Sequence, residues 1–342
     1  MRLSPALCLA VCLLSPDISA RGSSNELARL RRSMRDPAAT TSLTEILRAL
    51  PHRPHHGPAP RRYHDRALED PRYELLAYRS GQTVVGFYGR RGRDEARRNL
   101  EVLRGMDASA RRSLIGSLSD KLERSRSYYR KLLAAAGESA ARLDAAIPRR
   151  VLFYVGQDRQ YFARAGTAGV YLGYRMLLDR YGQVVHHELF HQVARQLLRR
   201  GDERFYSATA LNEGLADYFA AVAYNQPRVP GWRQVKNRLN ERDDGARLRA
   251  RSKHHHGQLF SGMLWELRRA INRADGTPWA AVSHADRLAL VAFRDRIHES
   301  PRTSCDLRGW IEALVATDRA LADGRHVGLI RRVGERFLGE SL

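Results

Sequence analysis

Apolar and polar positions change rhythm along this chain, and each change marks an element. Two β-rich runs, YELLAYRS from Tyr73 and TVVGFYG from Thr83, flank Ser80-Gly81 and predict a hairpin. From about Arg93 to Ala146 the period lengthens to that of a helix, with Leu100, Leu103, Leu114, Leu118, Leu122, Leu132 and Leu133 at helical intervals. Pro148 stops that pattern. RVLFYV, from Arg150 to Val155, then reads as a strand, because β-branched and aromatic side chains suit a pleated surface. AGTAGVYLGYRMLL, from Ala165 to Leu178, predicts a further extended segment or hairpin, and almost everything after Asp179 has a helical period. Strands early and helices late predict an α+β protein of two lobes. The first, residues 69–178, is a small mixed sheet with helices; the second, residues 179–342, is mainly helical.

The first 68 residues follow neither pattern. Met1-Arg2, an apolar stretch from Leu3 to Leu14 and the small-residue site Ile18-Ser19-Ala20 read as a signal peptide over residues 1–20. The expected location is therefore secreted or periplasmic. The apolar run is too short to span a bilayer, and no later stretch reaches the roughly 18 apolar residues a transmembrane segment needs. Residues 21–68 form an N-terminal extension with a helix near Leu43 to Leu50 and a Pro/His-rich linker, PHRPHHGPAPRR, from Pro51. This extension could be removed as a propeptide; its histidines, His52, His55, His56 and His64, read as a solvated tract. Loss of Cys8 and Cys12 with the signal leaves Cys305, so no internal disulfide is expected. Val11 before Cys12 makes a poor lipidation signal.

Composition narrows the function classes. Of 342 residues, 43% are hydrophobic and 28% charged, which fits a globular chain with a buried core and excludes wholesale disorder. The net charge of +22 is carried by arginine, since the only lysines are Lys121, Lys131, Lys236 and Lys253. Such a charge could recruit an anionic surface or polymer. The arginines are scattered, however, and no nucleic-acid motif accompanies them, so sequence-specific nucleic-acid binding is not expected.

The candidate chemistry lies at His187-Glu188-Leu189-Phe190-His191. Residues four apart on a helix share a face, so both imidazoles can reach one ion, while Glu188 lies about 100° round the helix, suited to act as a base on water. Val185, Leu189 and Val193 form the stripe such a helix would bury, and Gly182 stands near its start. Two imidazoles are too few for zinc. Leu211-Asn212-Glu213-Gly214-Leu215-Ala216-Asp217 supplies Glu213 as a third ligand, with Asp217 one turn on, able to orient a ligating histidine. His186 points off the metal face and reads as structural. His284, His298 and His326 sit singly on helical segments and read as surface or satisfied core residues, and Trp232, Trp265, Trp279 and Trp310 as core.

HELFH followed by NEGLADYF resembles the gluzincin metallopeptidases, the group of thermolysin and the fungalysin-like enzymes, whose pattern is H-E-x-x-H, a spacer, then N-E-x-x-x-D. The stretch from Arg150 to Phe219 is also similar to the MA-like peptidase domains of bacterial exported proteins. The resemblance implies a zincin-like fold with a zinc cleft between two lobes. It further implies one zinc per chain held by His187, His191 and Glu213, Glu188 as catalytic base, and Asp217 as hydrogen-bond partner of His187. Gly169, Val170 and Tyr171 precede the zinc helix where zincins place a substrate-binding edge strand; an ordinary interior strand is the alternative. HHHGQLFSGMLW, from His254, is similar to a fungalysin-like stretch in which a histidine stabilises the tetrahedral intermediate. The alignment gives that place to His254, with His255, His256 or a merely solvated histidine run as alternatives.

The expected function is zinc-dependent hydrolysis of peptide bonds in a peptide or protein substrate, with a water activated by Glu188 attacking the scissile carbonyl. The alternative is a catalytically inactive zincin-fold binding protein of the cell envelope.

Overall fold

The computed structural model describes residues 72–80, 82–139, 149–156, 163–166, 169–173, 182–197, 210–226, 228–229, 233–234, 253–296 and 307–339. The signal segment, the extension with its linker, Trp232, His298 and Cys305 lie outside these residues. Among them the chain is mixed α+β and mostly helical, with eight helices, a five-stranded sheet and a two-stranded one. They fall into two units, one within Met1–Glu123 and Arg149–Tyr181, the other within Arg124–Pro148 and Gly182–Leu342.

The first unit is built on the sheet. Strands β1 (Tyr73–Ser80) and β2 (Thr83–Arg90) form the expected hairpin, with Ser80 opposite Thr83. Helices α1 (Asp94–Gly105) and α2 (Ala108–Ala135) follow, and the chain returns as β3 (Arg150–Tyr154), parallel to β2. Strands β4 (Ala163–Gly166) and β5 (Gly169–Gly173) form a second hairpin, and the sheet order is β1-β2-β3-β5-β4. The central strands read as nearly continuous apolar runs because both their faces are covered. On one face Tyr88, Leu152, Tyr154 and Tyr171 cluster; on the other Phe87 stacks on its register partner Phe153, with ring centroids 5.7 Å apart. Asn99 of α1 ties that helix to the sheet by donating to the Val155 carbonyl at 2.7 Å.

This topology corrects one expectation. β5, which carries Gly169, Val170 and Tyr171, is an interior strand: β3 pairs with it from Val151↔Val170 to Tyr154↔Gly173, and β4 covers its other side. Its backbone donors and acceptors are spent in two ladders, so it offers no free edge to a substrate strand. The edge position belongs to β4. The sequence leaves this stretch open between an extended segment and a hairpin, and its order in the sheet depends on long-range pairing that local pattern does not encode.

The second unit is helical. It contains α3 (Gly182–Leu197), α4 (Ala210–Tyr224), the short pair β6 (Arg228–Val229) and β7 (Arg233–Gln234), then α5 (Lys253–Asp275), α6 (His284–Arg296), α7 (Leu307–Ala322) and α8 (Val327–Leu338). The later part of α2 belongs here too. Tyr128 and Tyr129 pack on His186 and Phe219, and Arg294 of α6 donates to the Ala136 carbonyl and to Glu138. The sequence boundary at 178/179 placed all of α2 in the first lobe; these packing partners draw its second half into the helical unit.

α4 is buried without a break from Leu211 to Val222, its polar Asn212, Glu213 and Asp217 included. Where α5 crosses it, two glycines allow close approach. A Cβ on Gly214 would stand 2.6 Å from the Gly257 carbonyl oxygen and 2.8 Å from the Phe260 Cβ. Gly214→Ala is therefore expected to force α4 and α5 apart and to destabilise the protein by about 1–3 kcal/mol, read from urea unfolding. A variant of wild-type stability would show that the crossing can relax freely.

Candidate metal centre

The site is assembled by two antiparallel helices. Phe190 packs on Phe219 at 5.2 Å between ring centroids, and the start of α3 meets the end of α4, where Gln183 bonds to the Gln226 carbonyl. This pairing brings His187 and His191, one turn apart on α3, onto Glu213 and Asp217, one turn apart on α4. Val185, Leu189 and Val193 are buried as expected, but so is most of the rest of α3. The zinc-type motif therefore sits inside the helical core rather than on a half-exposed face.

Three donor atoms converge. His187 Nε2 lies 3.1 Å from His191 Nε2 and 3.3 Å from Glu213 Oε2, and His191 Nε2 lies 3.8 Å from the same oxygen. Zinc with bonds of about 2.0–2.2 Å would space tetrahedral ligands about 3.3–3.6 Å apart, and the observed separations of 3.1 to 3.8 Å bracket that spacing. Among the described residues, His187, His191 and Glu213 form one of two groups able to hold a metal. His191 is the most exposed of the three, with 16% of its side chain accessible.

Asp217 is fully buried and accepts a hydrogen bond from His187 Nδ1 at 2.9 Å. That bond fixes the tautomer and leaves Nε2 for a metal. Burial alone would lower the His187 pKa, yet hydrogen bonds to Asp217 and Glu213, with the nearby charge of Glu188, raise it to about 10. The surroundings are anionic and call for a cation. Asp217→Asn is expected to weaken zinc binding about 10–100-fold, measured by competition with a chromophoric chelator, with helix content unchanged. Undiminished affinity would mean that the imidazole is oriented by something else.

Glu188 is buried beside His187 and outside the converging donor set. His186 faces away into an aromatic cluster, stacked on Tyr129 at 4.3 Å and close to Tyr128 and Tyr224. Burial, reinforced by the charge of His187, lowers its pKa to about 3, so it packs as a neutral ring beneath α3. This is the structural role its position in the motif suggested.

The histidine run falls in the first turn of α5, and the side chains of His254, His255 and His256 lie outside the described residues. Gly257 packs on the Ala210 carbonyl and the Gly214 backbone of α4, which brings this turn beside Glu213. Met263, Leu267 and Ile271 are buried as expected, whereas Leu259 is half-buried.

Sequence reasoning missed the supports behind the site. Arg268 of α5 is fully buried and pairs with Asp286 of α6, which accepts the Tyr218 hydroxyl of α4 at 2.6 Å. An arginine inside the apolar pattern of α5 was the available signal, because a buried charge needs a partner. The histidines read as solitary, His284 and His326, in fact face each other across Asp318. Among the described residues, no helix is long and apolar enough to cross a membrane. No family model, curated protein or solved structure matches this chain.

Proposed function

We propose that this protein is an exported zinc metallopeptidase that hydrolyses peptide bonds. The observation that carries this reading is the convergence of His187 Nε2, His191 Nε2 and Glu213 Oε2, with a buried carboxylate, Glu188, adjacent but outside the donor set. Three ligands leave a coordination position open, the arrangement of catalytic rather than closed structural zinc sites. The two-lobe zincin reading of the fold and export by an N-terminal signal belong to the same proposal and rest on the sequence.

A zinc ion held there would supply Lewis acidity, making water more acidic and polarising a peptide carbonyl. Glu188 accepts the proton that water loses as it attacks the carbonyl carbon, then delivers it to the departing amine. Asp217 keeps the His187 ring in register throughout. The carbonyl oxygen gains negative charge as it becomes tetrahedral, and an N–H donor aimed at it lowers the barrier. His254, on the helix turn beside Glu213, is the candidate donor.

A broad peptide-library digest with and without chelator tests the proposal. Chelator-sensitive cleavage supports it. Zinc-loaded protein that cuts no peptide would favour the inactive binding protein instead.

A further inference from the structure

Three helices bring a second set of metal-type donors together, remote in sequence from the first. His284 opens α6, Asp318 lies in the last turns of α7, and His326 immediately precedes α8. His284 Nε2 lies 2.9 Å from Asp318 Oδ1, and His326 Nδ1 lies 3.2 Å from that same oxygen. The two imidazole rings are 4.7 Å apart, and the donor atoms all lie within 4.8 Å of one another. Asp318 is fully buried, His326 nearly so, and the His284 side chain is 15% accessible.

The His326 ring has a carboxylate at each nitrogen: Asp318 at Nδ1, and Asp275 at Nε2, 3.0 Å away. Asp318 Oδ2 is already engaged by the His326 backbone N–H at 2.8 Å, which holds Oδ1 towards the two imidazoles. Two arrangements close such a cluster: a ring with N–H on both nitrogens, donating to both carboxylates, or a cation among His284 Nε2, His326 Nδ1 and Asp318 Oδ1. The convergence of three donor atoms from three segments favours the cation. The His326 proton then resides on Nε2 and is donated to Asp275, the carboxylate–histidine–metal arrangement in which an outer carboxylate sets the ligating nitrogen.

We propose that His284, His326 and Asp318 form a second divalent-metal site, structural in role, with Asp275 orienting His326. Two imidazoles and one carboxylate suit zinc or a neighbouring first-row ion better than calcium or magnesium, which prefer all-oxygen sets. The ion ties the start of α6 to α7 and to the start of α8. It also steadies the segment in which the Ser283 backbone N–H bonds to Asp286, the residue that holds Arg268 and Tyr218. Bound only in the folded state, it stabilises the chain in proportion to the free ion concentration.

The test is metal analysis of purified full-length chain after zinc loading and dialysis, with thermal melting followed in added zinc. Wild-type protein is expected to retain two zinc ions and the double variant His187→Ala/Glu213→Ala one, with a melting midpoint that still rises with zinc. Adding His284→Ala, the change at the most exposed ligand, should remove the remaining ion and the zinc-dependent rise. A double variant that holds no zinc and melts at one temperature with or without it would overturn the proposal, leaving a cluster closed by a second proton on His326. Zinc retained undiminished after His284→Ala would also overturn it, by placing the ion elsewhere. Should the multiple variants not fold, the single variant His284→Ala decides: loss of one zinc relative to wild type supports the site, and an unchanged zinc content refutes it. Failure of the peptidase reading would show as absent cleavage, independently of this second ion.

Discussion

Glu188→Gln is expected to abolish peptide hydrolysis while leaving the zinc content of the protein at its wild-type value. Glutamine has the shape of glutamate but cannot take a proton from water, and loss of a general base typically costs on the order of 10²–10⁴ in rate. The metal should stay, because the converging donors are His187, His191 and Glu213, and Glu188 is not among them. Glu213→Ala should behave differently, losing one zinc per chain together with activity, since two imidazoles alone hold the ion weakly. Parallel measurements of cleavage rate and bound zinc on both variants separate the roles. A Glu188 variant that lost its metal, beside a Glu213 variant that kept it, would exchange the assignments of ligand and base.

The largest expected effect on stability lies behind the site. Asp286→Ala should destabilise the protein by about 3–5 kcal/mol, because it strands a buried guanidinium. Arg268 Nε lies 2.9 and 3.2 Å from the two Asp286 oxygens, and its Nη2 donates to the Trp279 and Ala281 carbonyls. The guanidinium also lies over the Trp279 ring, 4.1 Å from its centroid. Asp286 in turn accepts bonds from the Tyr218 hydroxyl and the Ser283 backbone N–H. Burial pushes the Asp286 carboxyl above its usual range, and Arg268, Tyr218 and Ser283 act against that shift. Denaturant unfolding measures the loss. The double variant Arg268→Leu/Asp286→Leu should lose less than the two single variants summed, because replacing both charges removes the stranded one. Strict additivity would mean that the pair is not coupled. Tyr218 is on the helix that carries Glu213, so zinc affinity should decline with stability in the Asp286 variant.

The grouping of candidate donors was legible in the sequence because its geometry is mostly local. An i,i+4 spacing on a helix brings His187 and His191 to one ion whatever the surrounding fold, and the same period puts Glu213 and Asp217 on one face. The Tyr73–Arg90 hairpin was legible for a similar reason, since a two-residue connection sets register directly. Identification of Glu213 as the third donor needed more than period. It depended on a second motif at a familiar spacing, and the structure brings that motif to the first through antiparallel packing of α3 on α4.

By itself, the sequence determined most of the helices and strands, the α+β character, and a set of residue types able to hold a metal, but not the short β6–β7 pair. Each follows from side-chain period and donor chemistry within a few residues. Tertiary structure alone decided what depends on distant partners. β5 is interior because β4 folds back beside it while β3 takes its other side. The second half of α2 belongs with α3 and α4 because Tyr128 and Tyr129 find His186 and Phe219. His284 and His326 looked solitary in the chain, yet both face Asp318 once α6, α7 and α8 pack. Such meetings are selected by burial of whole helix and sheet faces, a sum over many side chains that no short window of sequence contains.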